Sequence, residues 1–129
     1  MDNLIWINLP VKNLAAAREF YNQAGFLLPM ETPDDVNMAG FKVEKQNVQI
    51  MLVPEETFKG FVRNEIAQTS IGSEVLFSLS AGSKEEVDSL IMRIEQAGGV
   101  IFAEAGEQNG MYGAGFCDLD GHRWNLLFM

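Results

Sequence analysis

Between Phe116 and Trp124 the chain sets its only cysteine, two aspartates and its only histidine into one short run, FCDLDGHRW. Cysteine near histidine is the raw material of a thiolate nucleophile, and paired carboxylates are that of general acid–base work. The spacing supports neither. Cys117 and His122 fall at opposite ends of a turn, because Asp and Gly in 118–121 tolerate the tight backbone angles that a turn needs. Asp118 and Asp120 then read as a solvated turn and Cys117 as a buried thiol in an apolar stretch. His122 reads as a structural residue at the mouth of the next strand. Glu74 is the one further carboxylate that could face a cleft, and at a strand start it reads as exposed. No catalytic set emerges.

The elements that must position these residues are organised around residues 5–26, IWINLPVKNLAAAREFYNQAGF. An apolar run too short for a helix leads to a turn at Pro10–Lys12. Leu14, Ala17, Phe20, Tyr21 and Ala24 then recur with helical period on one face. Asn13 is placed to accept a free backbone N–H of the first turn, and Gly25 to end the helix in a left-handed conformation. Seventy residues on, VLFSLSA at 75–81 aligns without a gap under IWINLPV at 5–11. Ser83 then caps a second helix with Val87, Leu90, Ile91 and Ile94 on one face, with Glu86 at the capping-box spacing. The chain is a duplicated strand–helix unit.

Filling in the rest predicts two β-α-β-β-β modules, 1–53 and 72–129. In the first, strands at 26–31, 38–44 and 48–53 follow the helix, with a polar loop at 32–37. In the second, the strands are 74–80, 100–105, 111–117 and 122–128, with a Gly-rich loop at 106–110. Residues 54–71 stand outside the repeat. They read either as a packed crossover or as a lid whose Phe58 and Phe61 close over a cavity. The expected class is α+β, with the paired modules curving a mixed sheet around a concave cleft.

At 129 residues the chain makes one compact domain, and 47% hydrophobic content supplies a core. A net charge of −9, with the basic residues scattered, argues against nucleic acid or an anionic membrane as partner. No apolar run is long enough for a transmembrane helix, and no secretory leader pattern opens the chain. With a single cysteine unable to form an internal disulfide, a cytoplasmic setting is expected.

The strand–turn–helix INLPVKNL…FYNQAGF, the internal repeat and the closing FCDLDGHRWNLLF together resemble the glyoxalase/bleomycin resistance/extradiol dioxygenase group, the vicinal oxygen chelate superfamily. The resemblance covers nearly the whole chain. It implies the fold, and for function it implies a range, from isomerases, lyases and dioxygenases to drug-sequestering proteins. Metalloenzymes of the group present one His or Glu from each of four strands to a divalent ion. The resemblance carries those positions onto Trp6, Met51, Leu76 and Asn125. Such an ion needs imidazole or charged ligands to offset its dehydration, so this set predicts no metal and no cofactor.

Strand alternation then collects Trp6, Asn8, Gln49, Met51, Leu76, Ser78 and Asn125 on the concave face. That is an apolar floor with three amides and a hydroxyl, suited to a neutral polar small molecule. The expected function is metal-free binding or sequestering of such a ligand by a homodimer, the resemblance implying the pairing. The alternative is a lyase, isomerase or dioxygenase-related enzyme with a remodelled site.

Overall fold

A computed structural model of the chain describes residues 3–31 and 37–129, so the loop expected at 32–37 lies almost wholly outside the described residues. The element order is β1 (Ile5–Val11), α1 (Leu14–Ala24), β2 (Leu28–Pro29), β3 (Ala39–Lys42), β4 (Val48–Pro54), α2 (Glu55–Val62), β5 (Leu76–Ser80), α3 (Lys84–Gln96), β6 (Val100–Gln108), β7 (Met111–Cys117) and β8 (Arg123–Phe128). These form two open four-stranded mixed sheets, β1-β4-β3-β2 and β5-β8-β7-β6. The duplication is exact in topology. In each sheet the first strand runs parallel to the last strand of its module, and the remaining pairs are antiparallel.

Local sequence explains the helix ends. Asn13 accepts from the Ala16 amide at 3.0 Å, and Gly25 closes α1 at φ 75°. At α3, Ser83 accepts from the Glu86 amide at 3.0 Å, while the Glu86 carboxylate reaches back to Gly82 rather than to Ser83 itself. One orphan donor of the first turn, at Glu86, and the amide just before the cap, at Gly82, are thereby satisfied.

One face of each sheet is buried under its helix, and the two covered faces share a single core. Leu9, Val11, Phe41, Ile50 and Leu52 of the first sheet join Phe116, Trp124 and Leu126 of the second, with Phe20 and Tyr21 of α1 and Val87 and Ile94 of α3. Phe26 is the junction between modules. Its ring lies 5.1 Å from that of Trp124 and 5.1 Å from that of Phe116, both edge-on. Such edge-to-face contacts add to the area buried and fix how one module sits on the other.

Three expectations are corrected. The Gly-rich segment at 106–110 is not a loop, since β6 continues through Gly106 to Gln108. Only Asn109 and Gly110 turn the chain, at φ 54° and 79°, the two-residue hairpin that Asn-Gly favours. The register shifts of β6 against β7 absorb the extra residues as bulges. Asp118 is not a solvated turn residue, for it is only 4% exposed. Cys117, expected to be buried, is half-buried at the last position of β7.

Candidate functional site

Alternation along β1 buries Leu9 and Val11 and turns Trp6 and Asn8 to the opposite, uncovered face. Across the parallel register Trp6 stands beside Gln49 and Asn8 beside Met51. Gly40 faces Met51 from β3, and its missing side chain leaves room there for the sulfur atoms of Met30 and Met51. The second sheet repeats this arrangement. Phe77 and Leu79 pack toward the core, while Leu76 and Ser78 face out, with Ser78 beside Asn125 of β8. Trp124 and Leu126 are buried, and Asn125 lies on the uncovered face between them.

The uncovered faces are markedly apolar for surfaces. Trp6 is 61% exposed and Leu76 52%. Within one chain the two groups stay on separate sheets: Trp6, Asn8, Gln49 and Met51 on the first, Leu76, Ser78 and Asn125 on the second. β1 and β5 each end their sheet, and among the described residues no strand pairs with the outer edge of either.

Of the expected site residues, Asn125 lines a groove of about 490 Å³ over the second sheet. Its other walls come from β6 and β7, including Glu104, Met111, Gly113 and Gly115, and from Leu127 of β8. Sequence reasoning missed these walls because β6 was ended at residue 105. The Asn109–Gly110 dipeptide was the signal that would have extended it and brought the hairpin into the site. Phe58 is half-buried and Phe61 exposed on α2, which packs on β1 and β4, and neither lines this groove. Glu74 is exposed and precedes β5.

A smaller crevice of about 360 Å³ lies where the two modules and residues 66–70 meet, lined among others by Lys12, Glu55, Asp120 and His122. Its wall is the turn at 118–122, which acts as a clasp. Asp118 accepts from the Tyr21 hydroxyl at 2.5 Å and from the amides of Asp120 and His122. Asp120 accepts from the Lys12 amide at 2.9 Å, and its carbonyl accepts from the Thr69 hydroxyl at 2.6 Å. His122 Nε2 pairs with the Pro10 carbonyl at 2.8 Å. Burial raises the Asp120 carboxyl above its ordinary range, against the lowering effect of the Lys12 amide. These contacts tie β1, Lys12, α1 and Thr69 to the turn of the second module. The expected structural role of His122 agrees with these contacts.

The donor set for a divalent ion is poor. Among the described residues no three His, Cys, Asp or Glu side chains gather at ligating distance. An indole, a thioether, an isobutyl group and one carboxamide at the four positions carried over by resemblance do not fit such an ion.

With this geometry in hand, the sequence profile of the Glyoxalase/Bleomycin resistance protein/Dioxygenase superfamily matches residues 3–126. The chain belongs to that superfamily. Solved structures of the glyoxalase fold agree over the full length. A hypothetical protein, SA1046, from S. aureus is 30% identical, with 100% of this chain and 95% of that one aligned at a TM-score of 0.87. A glyoxalase-related enzyme from Fulvimarina pelagi is 18% identical, with 100% and 89% covered at a TM-score of 0.84. TnmS3, an antibiotic binding protein from Streptomyces sp. CB03234, is 15% identical, with 99% and 96% covered at a TM-score of 0.66. The last two show the glyoxalase fold alone. No curated protein matches the chain.

Proposed function

We propose that this member of the glyoxalase superfamily is a metal-free small-molecule binding protein that works as a cytoplasmic homodimer. The observation that carries the reading is the groove over the second sheet, with an uncharged carboxamide, Asn125, where a metal-bearing relative would present a carboxylate. The Asn125 carboxamide and the apolar part of the lining suit a neutral ligand, with the carboxylates of Glu104 and Glu107 on the β6 side. An antibiotic binding protein, TnmS3, shares this fold, which supports the reading. The dimer is supported by the exposed apolar residues Ile5, Trp6, Val75 and Leu76, which lie on or beside the edge strands β1 and β5. Edges of that kind invite pairing, and a second copy set edge to edge would face the first module of one chain with the second of its partner. Residues Trp6, Asn8, Gln49 and Met51 would then share one cleft with Leu76, Ser78 and Asn125.

The test is native mass spectrometry of protein purified gently from cells, with elemental analysis of the same sample. A dimer carrying a small organic molecule and less than stoichiometric metal is the expected result. A product turning over from a supplied substrate, with one ion per chain, would replace this reading with an enzymatic one.

A further inference from the structure

Two glycines and one amide define the shape of the groove. A side chain at Gly115 would collide with the Phe102 ring at 2.5 Å, and one at Gly113 with Leu127 Cδ2 at 2.6 Å. The tips of Phe102 and Leu127 therefore rest directly on bare backbone, and the floor carries no protruding Cβ at either position. Asn125 is the register partner of Gly115, and Leu127 that of Gly113. The Asn125 carbonyl oxygen sits 3.2 Å from the point where a Cβ on Gly115 would stand. Its carboxamide is thus set over a flat apolar floor. Among the described residues it enters no hydrogen bond within the protein.

The charges around it are at the rim or already engaged. Glu107 is paired with Lys84. The Arg123 guanidinium is drawn over the Phe102 ring, 4.5 Å from its centroid. Glu104 is exposed on the β6 side of the groove. Beside Gly115 the Asn125 carboxamide offers a donor and an acceptor side by side on a group that carries no charge, and Gln108 and Asn109 are further amides of the lining.

Resting on the binding reading above, we infer that the groove takes a flat, neutral ring system with an in-plane amide edge, of the lactam or cyclic imide class. Such an edge places an N–H beside a C=O, and the Asn125 carboxamide can meet both with a pair of antiparallel hydrogen bonds. The ring plane then lies over the floor at Gly113 and Gly115, in contact with Met111 and Leu127. An apolar ring without the edge would lose both bonds, and a cation would find its counter-charge away from Asn125, at Glu104 and the Lys84-paired Glu107.

The probes are 2-quinolone, N-methyl-2-quinolone and N-methylquinolinium, titrated into the full ¹⁵N-labelled chain and followed by amide NMR. 2-Quinolone is expected to shift the Asn125 side-chain resonances and to bind roughly tenfold more tightly than its N-methyl derivative, about the effect of one lost hydrogen bond. Asn125→Ala should remove that difference while the spectrum stays folded. Gly115→Ala, whose Cβ displaces Phe102, should weaken both lactams alike. Equal affinity for the two quinolones, or preference for the quinolinium, would overturn the amide-edge inference while leaving a binding protein. Binding of other small molecules in the Trp6 region with none of these three would overturn it in the same way. A chain that binds no small molecule at all would remove the binding reading itself.

Discussion

The Tyr21 hydroxyl donates to the Asp118 carboxylate at 2.5 Å, across 97 positions of sequence, with both groups buried. The Trp124 indole N–H donates to the same hydroxyl at 3.3 Å. One phenol thereby ties the helix of the first module to the last turn and last strand of the second. Replacing it with Phe keeps the ring contacts and leaves a buried carboxylate one donor short. Tyr21→Phe is expected to cost about 1–3 kcal/mol of unfolding free energy, read from denaturant midpoints at unchanged slope. A loss no larger than that of an exposed substitution such as Gln96→Ala would show that the contact does not hold the modules.

The same phenol makes stability depend on alkaline pH. Burial first, then the charge of Asp118, raises Tyr21 well above its ordinary 10.0. A raised folded pKa lends stability that is intact below the unfolded value and is lost as pH climbs toward the folded one. Tyr112 adds a contribution of the same sign through its hydrogen bond to Asp88. Unfolding free energy should therefore fall as pH rises past about 10, and Tyr21→Phe should flatten that fall more than Tyr112→Phe. An unchanged alkaline slope in Tyr21→Phe would mean the phenol ionises freely in the folded protein.

How much of this was legible in the sequence depended on the range of the signal. The repeat, both helix caps and the facing of Trp6, Asn125 and Trp124 all follow from local chemistry and period-2 alternation, which act within a few residues. The β6–β7 hairpin was missed although its Asn-Gly turn is also local, because the glycines of 106–110 were weighed as a loop and not as bulge and turn. Asp118 could not be read. Its burial comes from Tyr21 on another module, and nothing in DLDG announces a partner so distant. The division of the expected cleft between two sheets was likewise invisible, because alternation gives the face of a strand and not what lies opposite that face.

Metal content gives a third test. Zn, Ni, Mn and Fe should each be well below one per chain in purified protein, because Trp6, Met51, Leu76 and Asn125 cannot replace the hydration of a divalent ion. Elemental analysis finding about one ion per chain, lost in Asn125→Ala, would contradict the reading.

The assembly can be checked at the edge strands without touching the groove. Ile5 and Val75 are 57% and 52% exposed near the starts of the edge strands β1 and β5. Light scattering at tens of micromolar protein should give a dimer for the parent. Ile5→Lys with Val75→Lys should give a folded monomer, since a lysine at an edge opposes pairing without entering the core. A parent monomer at that concentration would remove the shared cleft.

The two tryptophans separate binding from packing. Trp124 is 3% exposed and wedged against Phe26, Phe77 and Tyr21, so its truncation to Ala should cost about 3–5 kcal/mol. Trp6 is 61% exposed on the uncovered face, and within a single chain little packing is lost with it. Trp6→Ala should therefore cost the isolated chain under about 1 kcal/mol, the range of ordinary surface substitutions. In a dimer the same indole borders the shared cleft, and its fluorescence should respond to an aromatic ligand. Trp124→Phe should keep that response and Trp6→Phe should abolish it. A response that survives in Trp6→Phe would place the ligand away from the first module, and a stability loss in the dissociated Trp6→Ala chain as large as that of Trp124→Ala would mean that the indole is core.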